Sequence, residues 1–301
     1  MEPVIEWLMS GDPAIQYMTK RFVLNESEFS SREIRNKISK EGFGAWFLSC
    51  RSQSGHWGQY YYQPKWTSTH YTLLDLKNLF IPLETDACRQ MCERMLLECL
   101  PDNGALNLAK SNIPSDICVD GMALNYLSYF CPENKGIKKL LNFLLEHQKE
   151  DGGFTWYHDK TTGDPHTTIC VLEGFHQYIC SGNMYRLEDV LRASESALGY
   201  LLENNLFMDA NDKRFRMLAY PFRYHYSVFR ALCYCTTAQI GYDARMKPAI
   251  QWLVDKKGID GKWQLEYTYP GKVHFEMEQL HNPSRFITQK ALVISGRYSK
   301  P

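Results

Sequence analysis

Two short segments, SDICVDG at residues 115–121 and GDPHTT at 163–168, each set an acid two residues before a second potential ligand. Asp116 precedes Cys118, and Asp164 precedes His166. Aligning the apolar segments that follow on Leu124 and Leu172 sets Asp116 against Asp164 and Cys118 against His166. Carboxylate, thiolate and imidazole are the side chains that hold transition metals or move protons. The same residues also read as a joint in a helical scaffold. Acids at a helix start satisfy free backbone N–H groups, Cys118 is then a small buried apolar residue, and His166 a hydrogen-bonded residue of a first turn.

Two further clusters carry chemistry. HWGQYYYQPKW and YPFRYHYSVF gather aromatics around His56, His70, Arg223, Tyr224 and His225. Such a set lines a π-rich cavity that stabilises cations or stacks sugar rings, or it packs between neighbouring helical hairpins. EYTYPGKVHFEMEQLHNPSRF holds Glu266, Glu276 and Glu278 with His274 and His281. A carboxylate pair there suits glycoside hydrolysis, and a solvated loop is the plainer reading.

The elements that must position these residues are helical. Strand signals are scarce, whereas apolar residues recur at helical spacing. PENKGIKKLLNFLLEHQ puts Ile137, Leu140, Leu141, Leu144 and Leu145 on one face. GDPAIQYMTKRFVL opens with Asp12 as N-cap and Pro13 at the first helical position. After each such helix comes a turn, centred on Trp57, Ala105, Phe154, Phe215 and Trp263, and a polar loop then leads into a second apolar segment. The spacing of about 48 residues falls in the range of helical repeats. Five units of two helices span residues 45–301, and segments 13–24 and 31–40 within residues 1–44 supply two more helices. The pattern predicts an all-α chain, one domain over residues 1–301, in which the long turn loops favour a closed ring of five to six helical hairpins over an open solenoid, and the 14% aromatic share points to an aromatic core or an aromatic-lined central cavity.

Composition narrows the function classes. Lys plus Arg and Asp plus Glu are equal at 34 each, so no overall field draws in nucleic acid. The N-terminal stretch MEPVIEWLMSGDP carries acids in place of a basic region, and no run reaches the apolar length of a membrane span. Ten scattered cysteines without a CxxC pair predict reduced, mostly buried thiols in a cytoplasmic protein.

The turns DGGF, DGKW and GHWG, each followed by a loop and a Thr- or Asp-led apolar helix, resemble the repeats of protein prenyltransferase β subunits and of squalene and terpene cyclases. The resemblance spans about residues 45–298 and implies an α/α toroid whose functional residues ring the entrances of the inner helices. Prenyltransferases hold zinc with an Asp-x-Cys pair from one repeat and a His from the next. Carried over, Asp116, Cys118 and His166 would bind Zn²⁺ with a fourth position open for a thiol. His70, Asp120, Asp164, Arg223, Tyr224 and His225 would line the cavity or touch its ligand.

The chain also departs from that family. The run from His166 to Gly174 is one residue longer, and only Lys110, Arg223 and Lys160 stand out as partners for a diphosphate. The Asp-x-Asp-Asp acid of squalene-type cyclases is represented by Asp116-Ile117-Cys118-Val119, which keeps only the first Asp, and no DDxxD motif is present. The expectation is a prenyltransferase- or terpenoid-cyclase-like protein that binds an apolar ligand, isoprenoids among the candidates. A non-catalytic scaffold or binding toroid, and a carbohydrate-active α/α barrel, stand as alternatives. No protein partner is indicated.

Overall fold

The computed structural model describes residues 2–109, 115–157 and 159–298. Thirteen α-helices lie among the described residues, linked by short 3₁₀ turns and long loops: α1 (Pro3–Met9), α2 (Pro13–Met18), α3 (Glu28–Lys37), α4 (Gly42–Ser49), α5 (Thr69–Asn78), α6 (Asp86–Cys99), α7 (Ile117–Phe130), α8 (Gly136–Glu146), α9 (Pro165–Cys180), α10 (Leu187–Glu203), α11 (Val228–Thr237), α12 (Lys247–Asp255) and α13 (Arg285–Tyr298). Helix α2 continues into one wider i→i+5 turn over Thr19–Val23. Two isolated bridges are the only extended pairings among the described residues. The chain is all-α.

Six helices form the inner wall. Each of α5, α7, α9, α11 and α13 packs on the next, and α13 packs on α2 and its wide turn. The ring closes where Phe80, just after α5, meets Tyr17 and Phe22 at ring separations of 5.5 and 5.3 Å. The outer helices lie against this wall, with α6 and α8 on α7, α10 on α9, and α12 on both α11 and α13. Burial separates the two layers. All fourteen residues of α7 are buried, as expected of a helix with no polar face. In contrast, α8 buries Ile137, Leu140, Leu141, Phe143 and Leu144 and leaves its other face to solvent.

Four of the five recurring turns share a construction, the turn at Phe215 being the exception. Gly55, Gly104, Gly152 and Gly261 all adopt left-handed φ between 79 and 87°, a region that favours glycine. A buried threonine in the first turn of the inner helix then ties down the residue after the turn. Trp57 N–H donates to Thr69 Oγ1 (3.1 Å), Phe154 N–H to Thr168 Oγ1 (2.9 Å) and Trp263 N–H to Thr288 Oγ1 (3.0 Å). In the second unit Leu106, one residue beyond Ala105, takes this place and donates to Asp120 Oδ1 (2.9 Å). The indoles of Trp57 and Trp263 also reach ten residues back, donating to Phe47 O (2.6 Å) and Leu253 O (2.7 Å) at the carboxyl ends of α4 and α12. Turn, outer helix and inner helix are thereby locked together, and the turn aromatics are accounted for by packing.

Helices α7 and α9 meet glycine on glycine. A Cβ on Gly174 of α9 would stand 2.5 Å from Gly121 O, and one on Gly121 of α7 would stand 2.8 Å from the backbone at Cys170 and Val171. The two helices therefore pack backbone to backbone. Gly174→Ala is expected to destabilise the protein by about 1–3 kcal/mol in chemical denaturation through overpacking. Gly199→Ala in α10, where nothing lies within 4 Å of the added carbon, should be neutral or stabilise by about 0.5–1 kcal/mol. Equal effects from both substitutions would contradict this account.

Candidate functional site

The centre of the ring is filled by the chain itself. Residues 217–226, between α10 and α11, pass into the barrel, and Arg223 adopts a left-handed φ of 57° there. Its guanidinium Nη1 donates to Asp75 of α5, and both side chains are almost wholly buried (6% and 3% exposed). Burial pushes the Asp75 carboxyl up, and the Arg223 charge opposes that rise. The segment is held from several sides. Arg230 Nη1 donates to Arg223 O (3.1 Å) and His225 O (2.9 Å), Tyr220 stacks on Phe286 of α13 at 4.2 Å, and Tyr226 N–H donates to His166 Nδ1 (2.8 Å).

Two neighbouring cavities remain at the mouth formed by the inner-helix entrances, beneath the loop between α12 and α13. One, of about 300 Å³, is lined by Phe47, Trp66, Tyr220, Arg223, His274 and Phe275 among others. The other, of about 330 Å³, is lined by Lys65, Arg214, Tyr224, His225, Tyr267 and Lys272 among others. Trp66, Tyr269, Pro270 and Gly271 belong to both. The loop is fastened by Trp66 Nε1 donating to Pro270 O (2.8 Å) and by a hydrogen bond between Thr72 Oγ1 and His274 Nε2 (3.0 Å). His225 lies flat between two tyrosines, 3.9 Å from Tyr224 and 4.0 Å from Tyr269. Lys65 stands over Trp66 and Tyr224 at 5.0 and 4.3 Å. Burial, reinforced by the charges of Lys65, Arg214 and Arg230, drives His225 down to about 3, so its ring is neutral near pH 7.

The residues singled out from the sequence divide between this mouth and the wall. Tyr224, His225 and Arg223 line the cavities. His166 lies beside them, facing Trp156, Phe215 and His225, and burial lowers its pKa. Asp164 caps α9, accepting from Thr167 N–H (2.9 Å) and Thr167 Oγ1 (2.8 Å). Asp116 occupies the N-cap position of α7 without a side-chain cap bond, and its charge is felt by Tyr62, Lys65 and Tyr224. His70 is fully enclosed, hydrogen-bonded through Nδ1 to Tyr126 Oη (3.1 Å) and driven by burial to about 3.

The zinc set expected from Asp116, Cys118 and His166 does not fit this geometry. Among the described residues no three His, Cys, Asp or Glu side chains are placed to hold a metal ion. His166 directs Nδ1 at the backbone of Tyr226. The Cys118 thiol is pushed well above its ordinary value, first by burial and then by Cys170, Asp116, Asp164 and Asp120, so thiolate formation is opposed. Of the three carboxylates of a carbohydrate-active reading, Glu276 lines the first cavity and the other two are engaged. Glu266 accepts from Leu218 N–H and Lys256 Nζ, and Glu278 accepts from Arg285 N–H at the head of α13.

The cations at the mouth are Lys65, Arg214 and Lys272, which sequence reasoning passed over. Their signal was present for Lys65, which sits inside the quoted aromatic run, but Arg214 and Lys272 come from loops whose paths no helical periodicity reveals. Of the expected partners for an anionic group, Arg223 is neutralised by Asp75, Lys160 lies 3.9 Å from the Tyr157 ring, and Lys110 is outside the described residues.

Asp120 is explained by the turn construction. It stands where three of the other units have threonine, receiving Leu106 N–H on one oxygen and the Ser115 hydroxyl on the other (2.5 Å). Burial raises its carboxyl to about 8 against those bonds. A carboxyl that binds its proton more tightly folded than unfolded makes stability fall as pH rises from about 4 to about 8. Asp120→Thr is therefore expected to flatten the decline in thermal stability between pH 5 and pH 8, while keeping the strut. Asp120→Val should cost about 1–3 kcal/mol by leaving the Leu106 N–H unpaired. An unchanged pH profile for Asp120→Thr would count against the assignment.

No family model and no curated protein matches the chain. Among solved structures, an arginine-to-alanine variant of the type II terpene cyclase MstE from Scytonema, in complex with geranylgeranyl dihydroxybenzoate, shares 15% identity at a TM-score of 0.48, covering 94% of this chain and 85% of that one. A protein from Actinoplanes shares 16% identity at a TM-score of 0.49, covering 94% and 88%. The unliganded MstE cyclase shares 12% identity at a TM-score of 0.34, covering 87% and 96%. These are structures the chain is similar to, and at such identities and scores they assign it neither family nor activity.

Proposed function

We propose that this chain is a ligand-binding toroid whose mouth takes an amphiphile with an apolar, unsaturated body and an anionic head, isoprenoid acids and phosphates among them. The observation that carries this reading is the pair of adjoining cavities that share Trp66 and Tyr269, one whose mixed lining carries Phe47, Tyr220 and Phe275 along with Glu276 and Glu278, and one bordered by Lys65, Arg214 and Lys272. Their sizes suit a small-molecule site. Stacked aromatic faces favour π-bearing chains, and Lys65 and Lys272 at one end, beside an Arg214 already paired with Asp212, favour a charged head through charge-assisted hydrogen bonds.

Binding without turnover is the form of this reading that the side chains support. Starting a cyclisation needs a strong acid aimed at an alkene or a metal-held diphosphate. Asp120 is tied to Leu106 and Ser115 within the wall, and the departure from the Asp-x-Asp-Asp pattern leaves Asp116 alone. The centre of the ring, where a cyclising chain would have to curl, holds the Asp75–Arg223 pair.

Farnesyl diphosphate and farnesol titrated by calorimetry test the proposal. The diphosphate is expected to bind saturably, and the alcohol about tenfold or more weaker for lack of a charged head. Trp66→Ala should weaken the diphosphate by a similar factor. Absence of saturable binding, or indifference to the Trp66 substitution, would overturn the assignment. Conversion of the bound diphosphate to a cyclised product, seen by mass spectrometry and chromatography, would refute its non-catalytic part.

A further inference from the structure

The far end of the barrel axis, at the carboxyl ends of α5 and α9, has its own cavity of about 100 Å³. Its lining includes Lys77 of α5, Asn125 of α7, Glu173 of α9, Arg230 of α11 and Lys290 of α13. The charges there do not balance. Glu173 is matched by Arg230, which donates through Nε (2.9 Å) and Nη2 (2.7 Å) to its two oxygens. His176, also in the lining, is driven down to about 4 by burial and by the charge of Lys77, and is neutral near pH 7. Arg223 is matched by Asp75. Lys77 and Lys290 are left without a hydrogen bond or ion pair among the described residues; burial lowers Lys77 to about 8, with the Glu173 charge opposing and the Lys290 charge adding to that fall, so its ammonium form still prevails near pH 7.

A second, independent feature points to a ligand. Asn125 is 2% exposed and lines the same cavity, yet its Oδ1 has no hydrogen-bond partner. A buried amide oxygen without a donor costs about 1–3 kcal/mol. The neighbouring lysines do not supply that donor. Helix ends account for part of the charge only. Lys77 lies in the last turn of α5, where the helix dipole favours a cation, but Lys290 lies in the second turn of α13, two turns short of its carboxyl end.

We propose that this inner cavity binds a small oxyanion that also carries a hydroxyl, such as hydrogen phosphate or the head of a phosphomonoester. Lys77 and Lys290 meet its charge, and Asn125 Oδ1 accepts its hydroxyl proton. The site is separate from the aromatic mouth, because Arg223, Tyr220 and the Asp75 carboxylate lie between the two ends of the axis.

Thermal shift and calorimetric titration of the whole chain with sodium phosphate, sulfate and chloride at matched ionic strength provide the test. Phosphate is expected to raise the melting temperature saturably and above sulfate, which has no hydroxyl near neutral pH. Lys290→Gln should weaken phosphate about tenfold or more by removing a charge-assisted contact, and Lys290→Arg should retain most of it. Asn125→Leu should abolish the preference for phosphate over sulfate. Lys138→Gln, on the exposed face of the outer helix α8 and away from all the cavities described, should leave the phosphate response unchanged. Equal responses to the three anions, or a phosphate response that survives Lys290→Gln, would overturn the proposal; if Lys290→Gln fails to fold, the Lys290→Arg and Asn125→Leu responses decide it.

Discussion

An arginine carried to the centre of a ring of helices must be neutralised there, and much of the inner architecture follows from that requirement. Taking two charges out of water costs several kcal/mol per ion, which is offset only when the partners meet in good geometry with their remaining groups satisfied. Arg223 meets Asp75 and lies near the faces of Trp66 and Tyr71, 5.5 and 5.8 Å from their ring centres. Its own carbonyl is taken by Arg230, whose charge is in turn matched by Glu173. One buried cation thus ties α5, α9 and α11 to the segment that enters the ring. That network occupies the volume that would otherwise be a single deep chamber and leaves shallower spaces at either end.

The repeating struts show how a scaffold constrains chemistry. A threonine hydroxyl in the first turn of an inner helix accepts from the turn and can return a proton to a carbonyl, as Thr168 does to Asp164 O (2.7 Å). The carboxyl of Asp120 fills the same position and stays largely protonated because burial opposes its charge. A perturbed acid in such a place is not a sign of catalysis, since structural networks shift pKa values as active sites do. The neighbouring hydrogen bonds decide between the two meanings.

The repeating helices were legible in the chain because three of the five turns announce themselves with a glycine and an aromatic, the other two with one or the other, and each inner helix with an apolar run. Trp57, Phe154 and Trp263 fall where that rhythm puts them, while the second unit is shifted by one residue because Leu106, and not Ala105, makes the strut. The mouth was legible in part. Tyr224 and His225 belong to an aromatic cluster conspicuous in sequence, and Asp164 caps as a residue before a proline-led helix should. Local pattern does not disclose that His166 turns Nδ1 to the backbone of Tyr226, 60 residues on. Nothing in local pattern discloses that Arg223 turns inward to Asp75, since the two are 148 residues apart. The same holds for the loop over the mouth, where Trp66 meets Pro270 across 204 residues.

The closure of the ring has a consequence for how the protein comes apart. An open stack of helical hairpins can fray from either terminal repeat, because each unit leans only on its neighbours. Here Arg285, at the head of the last helix, stands 4.6 Å from the ring of Trp7 in the first and donates to its carbonyl (3.1 Å). Each inner helix then has a neighbour on both sides, and no hairpin is terminal. Local opening has no free edge from which to spread, so unfolding has to begin by breaching the wall at some seam. The seam between the first and last hairpins is held through side chains, Arg285 on Trp7 and the buried Gln289 amide donating to Met18 O (3.3 Å), in contrast to the backbone-to-backbone contact of Gly121 and Gly174.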